Sequence, residues 1–498
     1  MRWFILMILA LKISNDQDSV YNPPTLNLSI RPEEMAKIES KRTEALENGL
    51  LVSADDDWVK GKFWQKGEDK ELDVKLRLKG DWLDHLQGDK WSFRVKMKEP
   101  NSWNRLMTFS LQTPAARYFL HEWVFHKILE KEDILTTRYD FVNLNINGNS
   151  KGIYAFEEHF EKQLVEFKDR REGPIVKFSE DGFWAHRQRF YKQFGYIPTD
   201  LEAQANLMEK SDVVPFGEGK VAKDPKLNNL FSRAQDLMYQ YRSGVKKVSE
   251  VFDAERLAKF FALSEAMGAV HGLVWHNQRF YYNPVTDKLE PIGFDGFVEP
   301  PYPKFFFIGQ GTANAEFLDD GNFTSRIFQD EDFAALYFKY LYKFTSRDYL
   351  GPLLDELTPE INSRLKILKA EFPDYTFDKT KAIEIAQFTH ALILPFEKSL
   401  KAFTQSDNGT SKVLKISNGH GLPLEVIGYG GNTGEMSGSI DPIVLPAQHP
   451  RSVWLRTTHP NASGVFTSFS HVREMAATAL LNQEKQKFVD LSIPSSAK

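Results

Sequence analysis

The sequence contains no cysteine, which removes disulfides, thiolate metal sites, iron–sulfur clusters and cysteine nucleophiles together. It also lacks a large charge of either sign. Lysine and arginine number 63 against 68 aspartates and glutamates, giving a formal net charge of −5 and a pI near 6.2. A chain so balanced has no overall field to gather phosphates, so sequence-independent nucleic-acid binding has no support in composition. The apolar run Trp3 to Leu11 is too short for the ~20 residues of a spanning helix. No phosphate loop, G-x-S-x-G or H-E-x-x-H motif occurs, and there is no internal repeat.

What is present is an ordinary globular composition, 42% hydrophobic and 26% charged over 498 residues, long enough for two or three domains. The run after Met1-Arg2 has the length of the apolar region of a secretory signal, ~7–15 residues. Residues 1–22 are therefore expected to be a signal or membrane-anchor segment with its linker, immediately followed by Pro23-Pro24. A main domain is expected over 23–405, with the charged, less regular stretch 165–250 as an insertion or lid. After Ser406-Asp407-Asn408-Gly409 the pattern turns to short alternating runs such as Val413-Leu414-Lys415-Ile416 and Leu424-Glu425-Val426-Ile427. This predicts a separate all-β module over 411–498, a small sandwich.

Within the main domain, Pro32-Glu33-Glu34 opens a predicted helix running to Leu50. Val74, Leu76 and Leu78 alternate with Lys75, Arg77 and Lys79, and Phe93, Val95 and Met97 with Arg94 and Lys96, which predicts half-buried strands with a cationic face. A helix is expected over 115–129. A hairpin follows from 141 to 156 around Asn147-Gly148, its second arm running into a predicted helix at Glu157-Glu158. Leu257 to Val270 reads as a buried helix, Phe280 to Ile292 as a second hairpin ending at Phe294-Asp295, and 323–400 as helical again.

Three polar clusters interrupt these patterns. Arg77, Lys79, Lys90, Arg94 and Lys96 concentrate positive charge suited to phosphate or carboxylate oxygens, or simply to solvent at a sheet edge. Glu157-Glu158 beside a basic strand can orient a phosphate-binding lysine, as a strand-lysine and helix-glutamate pair does in protein kinases, or merely suit a helix start. His271 to Asn277, with Asp295 beyond, offers oxygen ligands for Mg²⁺ in Asn277 and Asp295. The same stretch leaves open a transition-metal set of His271, His276 and Asp295, or a structural role for both histidines.

The ordered set of segments resembles the spore coat protein H (CotH) kinase-like family of atypical, secretory-pathway kinases. The residues carrying the likeness are Arg77-Leu78-Lys79-Gly80-Asp81, Lys90-Trp91-Ser92-Phe93-Arg94-Val95-Lys96, Asn147-Gly148 through Gly152-Ile153-Tyr154 to Glu158, and Asn277, Phe280-Tyr281 and Phe294-Asp295. The resemblance implies an α+β, protein-kinase-like domain that uses ATP with Mg²⁺ or Mn²⁺. It implies nucleotide-phosphate roles for Lys90 or Lys96, an orienting role for Glu158, and metal ligation by Asn277 and Asp295. The family's catalytic aspartate has no counterpart, since that position is Gly272; His271, one residue earlier, is the candidate base. The expected reaction is γ-phosphoryl transfer to a hydroxyl of an exported protein or envelope polymer, by a secreted or membrane-anchored protein of the bacterial cell envelope. The rival readings are a non-catalytic envelope module with a degenerate site, and a metal-dependent hydrolase built on His271, His276 and Asp295.

Overall fold

The computed structural model describes residues 21–68, 70–196, 211–297, 299–304, 323–328 and 330–394, together with seven strand segments between 400 and 490. The expected signal or anchor at residues 3–11 lies outside the described residues. Among those described, no helix is long and apolar enough to cross a membrane.

The first half closes into a barrel. Strands β1 (Thr25–Ile30), β2 (Val59–Gln65), β3 (Leu72–Leu78), β4 (Phe93–Met97) and β5 (Thr108–Gln112) form an antiparallel meander. A short β6 (Leu135–Thr136) leaves for a second sheet, and the hairpin β7 (Tyr139–Ile146) and β8 (Asn149–Glu158) completes the ring, β8 against β5 and β7 parallel to β1. The period-two pattern decides what fills it. Leu76, Leu78, Phe93, Val95, Phe109 and Leu111 are buried in one apolar cluster, and their alternating neighbours face outward. On that outer face Arg77 lies opposite Arg94, Arg94 opposite Ser110, and Ser110 opposite Glu157. One row of polar groups thus crosses four strands. Helix α1 (Pro32–Asn48) lies against β2 and β3 and ends at Gly49, whose φ of +73° suits glycine.

The second half is a five-stranded sheet in the order β10-β9-β11-β12-β6, with β9 (Ile175–Phe178), β10 (Val213–Pro215), β11 (Arg279–Asn283) and β12 (Lys288–Gly293). Around it pack α2 (Leu120–Lys131), α3 (Lys162–Phe167), α4 (Asp181–Phe194), α5 (Glu218–Lys223), α6 (Pro225–Arg242), α7 (Val248–Val251) and α8 (Ala254–Met267). Helices α9 (Phe323–Phe328), α10 (Glu331–Thr345), α11 (Arg347–Glu356), α12 (Thr358–Glu371) and α13 (Lys379–Ile393) follow. Trp123, Phe125, Phe178, Phe252, Phe261 and Tyr337 anchor their shared core.

Both predicted hairpins form, and so does the helix at 257–270, as α8. One expectation changes. Glu157 and Glu158 are the last residues of β8, because pairing to Tyr139 and Phe109 carries the ladder through them; the helix waits until Lys162. Part of the stretch 165–250 packs with the rest of the domain: β9 pairs with β11, and Leu237, Met238 and Tyr241 of α6 join the main core. Beyond it, β13 (Leu400–Asp407), β14 (Lys412–Asn418) and β17 (Val453–Thr457) form one antiparallel sheet. Strands β15 (Leu424–Gly430), β16 (Met436–Leu445), β18 (Gly464–Phe469) and β19 (Lys487–Asp490) form another. The first of these strands starts ahead of residue 411.

Candidate active site

The end of β3 carries Lys79 onto the polar outer face of the barrel. Its Nζ lies 3.2 Å from Glu157 Oε2 and also donates to Gln112 Oε1. Strand alternation makes this pairing: Glu157 has the outward parity, whereas Glu158, one residue on, turns to the other face and meets Arg138 at 2.6 Å and 2.9 Å. Burial pushes the Lys79 ammonium down to about 8, with Glu157 opposing that shift. For Glu157, burial acts upward but Lys79 and Arg117 outweigh it, so its carboxyl is held below the usual range.

Asp295 comes from the other half. It follows β12 in the left-handed region, φ +56°, an uncommon conformation for a residue with a side chain. The fully buried Glu122 of α2 fixes this turn by accepting the N–H groups of Gly296 (3.0 Å) and Phe297 (3.2 Å). Glu122 also meets His126 Nε2 at 2.9 Å; burial lowers the His126 pKa, Glu122 outweighs that, and the net shift is upward. Asp295 Oδ1 has Arg117 Nε at 2.9 Å and His271 Nδ1 at 3.1 Å. Arg117 comes from the short turn between β5 and α2. Although burial alone raises the Asp295 carboxyl, Arg117 and His271 hold it well below the usual range. Burial pulls His271 down, and the Asp295 carboxylate more than restores it, leaving its pKa raised. Asn277 Nδ2 donates to the His271 carbonyl at 3.1 Å and lies 3.2 Å from its ring Nδ1, so the two short turns 271–273 and 275–277 present one unit.

Polar atoms left over mark the same place. Arg77 Nε, Arg94 Nε, Gln112 Nε2, Glu157 Oε1 and Asp295 Oδ1 are buried without an aligned hydrogen bond. The Arg117 contact to Asp295 is therefore a close charge pair, not a directed bond, since Arg117 Nε is unsatisfied too. Buried groups of this kind normally find partners, and two arginines directly opposed across strands repel. The arrangement suits a polyanion over the arginines with a small cation near the carboxylates.

Of the predicted residues, Lys79, Arg77, Arg94, Asn277, His271 and Asp295 belong to this region. Lys90 does not: it pairs with Glu371 of α12 and donates to the Ile153 carbonyl at 2.9 Å. Lys96 has the right parity but lies farther along β4 and is exposed. Glu158 is replaced by Glu157 as the partner of the strand lysine. His276 stacks on Phe183, ring centroids 5.2 Å apart, and the described residues hold no group of three His, Asp or Glu placed to share an ion, so the His271–His276–Asp295 metal set is not formed. A side chain at Gly272 has no room, because a Cβ there would lie 2.5 Å from the Phe294 carbonyl oxygen. Gln112, Arg117 and Glu122 were not legible beforehand; only the odd acid in the apolar run 120–129 hinted at Glu122.

Asn147, Gly148, Gly152 and Glu158 of the 147–158 segment each have a structural explanation. Asn147 Oδ1 accepts the Ile30 N–H at 2.7 Å, Gly148 makes the turn at φ +78°, and Gly152 at φ +74° leaves space for the Glu371 carboxylate. Glu158→Gln is accordingly expected to lower unfolding free energy by about 3 kcal/mol, the cost of breaking a buried pair, while nucleotide affinity stays unchanged; urea melts and titration on the same sample check both.

The molecule thus pairs a barrel with a helix-rich α/β half and sets a lysine–glutamate pair within electrostatic range of an aspartate that meets a histidine and its asparagine neighbour. A family model described as CotH kinase protein matches residues 76–389. The chain belongs to the CotH kinase family, and the match spans every residue of the polar cluster just described. No curated protein matches the chain. Membership implies use of ATP and a divalent metal in general terms. The donors fit such an ion: Asp295 and Asn277 supply oxygen chemistry, and so few protein ligands suit a cation that takes the rest from phosphates and water.

Proposed function

We propose that the protein transfers the γ-phosphoryl group of ATP to a hydroxyl of an exported protein or envelope polymer. One observation carries this reading: Lys79 with Glu157 from the barrel, and Asp295 with His271 and Asn277 from the other half, converge across Arg117 with unsatisfied buried polar atoms between them. Lys79, Arg94 and Arg77 bind the phosphates, which relieves the repulsion between the two opposed arginines. Glu157 holds the Lys79 ammonium in place, and Glu122 holds the turn that carries Asp295. Asp295 and Asn277 hold Mg²⁺ or Mn²⁺, which when bound offsets negative charge on the phosphates. His271 Nδ1 faces two oxygens of Asp295, its Oδ1 and its carbonyl, each at 3.1 Å. That fixes the ring proton on Nδ1 and leaves Nε2 to take the acceptor's proton. The extracytoplasmic setting rests on residues 3–11 of the sequence.

The test is phosphate transfer from γ-labelled ATP with Mn²⁺ as a function of pH. A base works when neutral, so a raised His271 pKa places the rising limb above the ordinary histidine value of about 6.5. The limb turns over near about 8, where Lys79 loses its charge. His271→Gln is expected to remove the rising limb and lower kcat by about 10²-fold or more, with ADP affinity unchanged. An unaltered profile in that variant contradicts the base assignment. The pairing of Asp295 with Arg117 favours a second reading, a nucleotide-binding module without turnover; ADP binding with no transfer to any acceptor or to water selects it.

A further inference from the structure

Arg187 of α4 is 5% exposed, yet its Nη1 has no hydrogen-bond partner and no described carboxylate lies within ion-pairing distance. Its guanidinium is stacked between aromatic rings, 4.3 Å from the Phe183 centroid and 5.3 Å from that of Trp82. Removing a charge from water without a counter-charge is costly, and the ring contacts offset only part of that cost, so an anion at the unpaired Nη1 would be stabilised. The stacking leaves the edge of the guanidinium as its reactive side, the edge that grips a carboxylate with two parallel bonds.

The position links this arginine to the polar cluster. Phe183 stacks on His276, which lies within electrostatic range of Asp295 and His271. Trp82 is 41% exposed and packs edge-on against Trp184 at 5.6 Å. It follows Lys79 by three residues, so the two backbones are within about 11 Å, the reach of about three residues of extended peptide. The nucleotide phosphates already have Lys79, Arg94 and Arg77 on the barrel face. Arg187 belongs to the opposite half, beyond the Phe183 ring.

We propose that Arg187 reads the acceptor: it binds a carboxylate of an acidic peptide segment two or three residues from the hydroxyl that receives phosphate. This rests on the kinase reading of the polar cluster, but its binding step can be measured without turnover. A fluorescein-labelled Glu-Glu-Ala-Glu-Glu peptide and its Ala and Lys counterparts are titrated by anisotropy into the full chain, R187Q and R187K, with ADP and Mn²⁺ titrated separately. The acidic peptide is expected to bind the native protein, with the neutral one about tenfold weaker or worse and the basic one weakest. R187Q is expected to erase that preference while ADP affinity is retained, and R187K to restore part of it. Among the described residues R187Q leaves no hydrogen-bond partner unpaired, and R187K keeps the charge should the first variant melt early. Equal binding of the three peptides overturns the proposal. So does an R187Q variant that keeps the acidic preference, or one that loses ADP affinity tenfold, which assigns the residue to nucleotide phosphates. Binding of the acidic peptide, with no transfer from ATP to the hydroxyl of a Glu-Glu-Ser-Glu-Glu counterpart, leaves the Arg187 site standing and removes the kinase reading instead.

Discussion

Asp295→Asn is expected to abolish the proposed phosphoryl transfer, lowering kcat by on the order of 10³-fold or more, the scale on which removing a charge-stabilising group acts in such sites. The substitution is nearly isosteric, so the turn held by Glu122 keeps its hydrogen bonds to Gly296 and Phe297. What changes is charge. Arg117 loses the carboxylate 2.9 Å from its Nε, and the His271 ring loses the group that raises its pKa. The variant is therefore expected to bind Mn²⁺ poorly and to lose the rising limb of the pH profile along with its rate. Steady-state kinetics with Mn²⁺ near saturation checks the first effect, and wild-type kcat in Asp295→Asn contradicts it.

Lys79→Met has the second largest effect, and it falls on nucleotide affinity. The ammonium is the one buried cation within hydrogen-bonding reach of both Glu157 and Gln112 among the described residues. Replacing it with a side chain of similar length leaves the Glu157 carboxylate buried without its cation, and breaking a buried pair costs about 3–5 kcal/mol. Two readouts follow. Stability falls in Lys79→Met and is largely recovered in Lys79→Met/Glu157→Gln, because the orphaned charge is gone. ADP affinity stays weakened by about tenfold or more in both, because a charge-assisted contact to phosphate is missing. If the double variant recovers affinity as well as stability, Lys79 is a structural lysine and not a phosphate ligand.

How far the residues spoke for themselves depended on the kind of information each carried. Period-two alternation made the cationic face of β3 and β4 readable, and with it Arg77, Lys79 and Arg94. It could not say which strand would lie beside β5, because the barrel closes through pairings between segments distant in sequence, β1 with β7 and β5 with β8. That closure decides between Glu157 and Glu158: a helix start treats them alike, whereas a strand sends them to opposite faces. Lys90 illustrates the same limit. Its place in a basic run suggests phosphate, but α12 returns from more than two hundred residues away to set Glu371 against it. Asn277, His271 and Asp295 were legible because a turn of polar residues interrupts two buried elements. Glu122 and Arg117 were hidden, since an acid in an amphipathic helix and a basic residue in a turn are ordinary until tertiary packing buries them.

On the proposed function, the barrel and the helix-rich half jointly build one site for a nucleotide and a divalent cation. Calorimetric titration of ADP into the full chain, with and without Mn²⁺, tests it most directly in the native protein, Lys79→Met and Asp295→Asn. Mn²⁺ is expected to tighten ADP binding at least tenfold, reciprocal with a tightening of Mn²⁺ by ADP. Asp295→Asn is expected to lose this coupling, and Lys79→Met to weaken ADP with or without the metal. ADP binding that ignores both Mn²⁺ and Asp295, or no ADP binding by the folded native protein, contradicts the joint site.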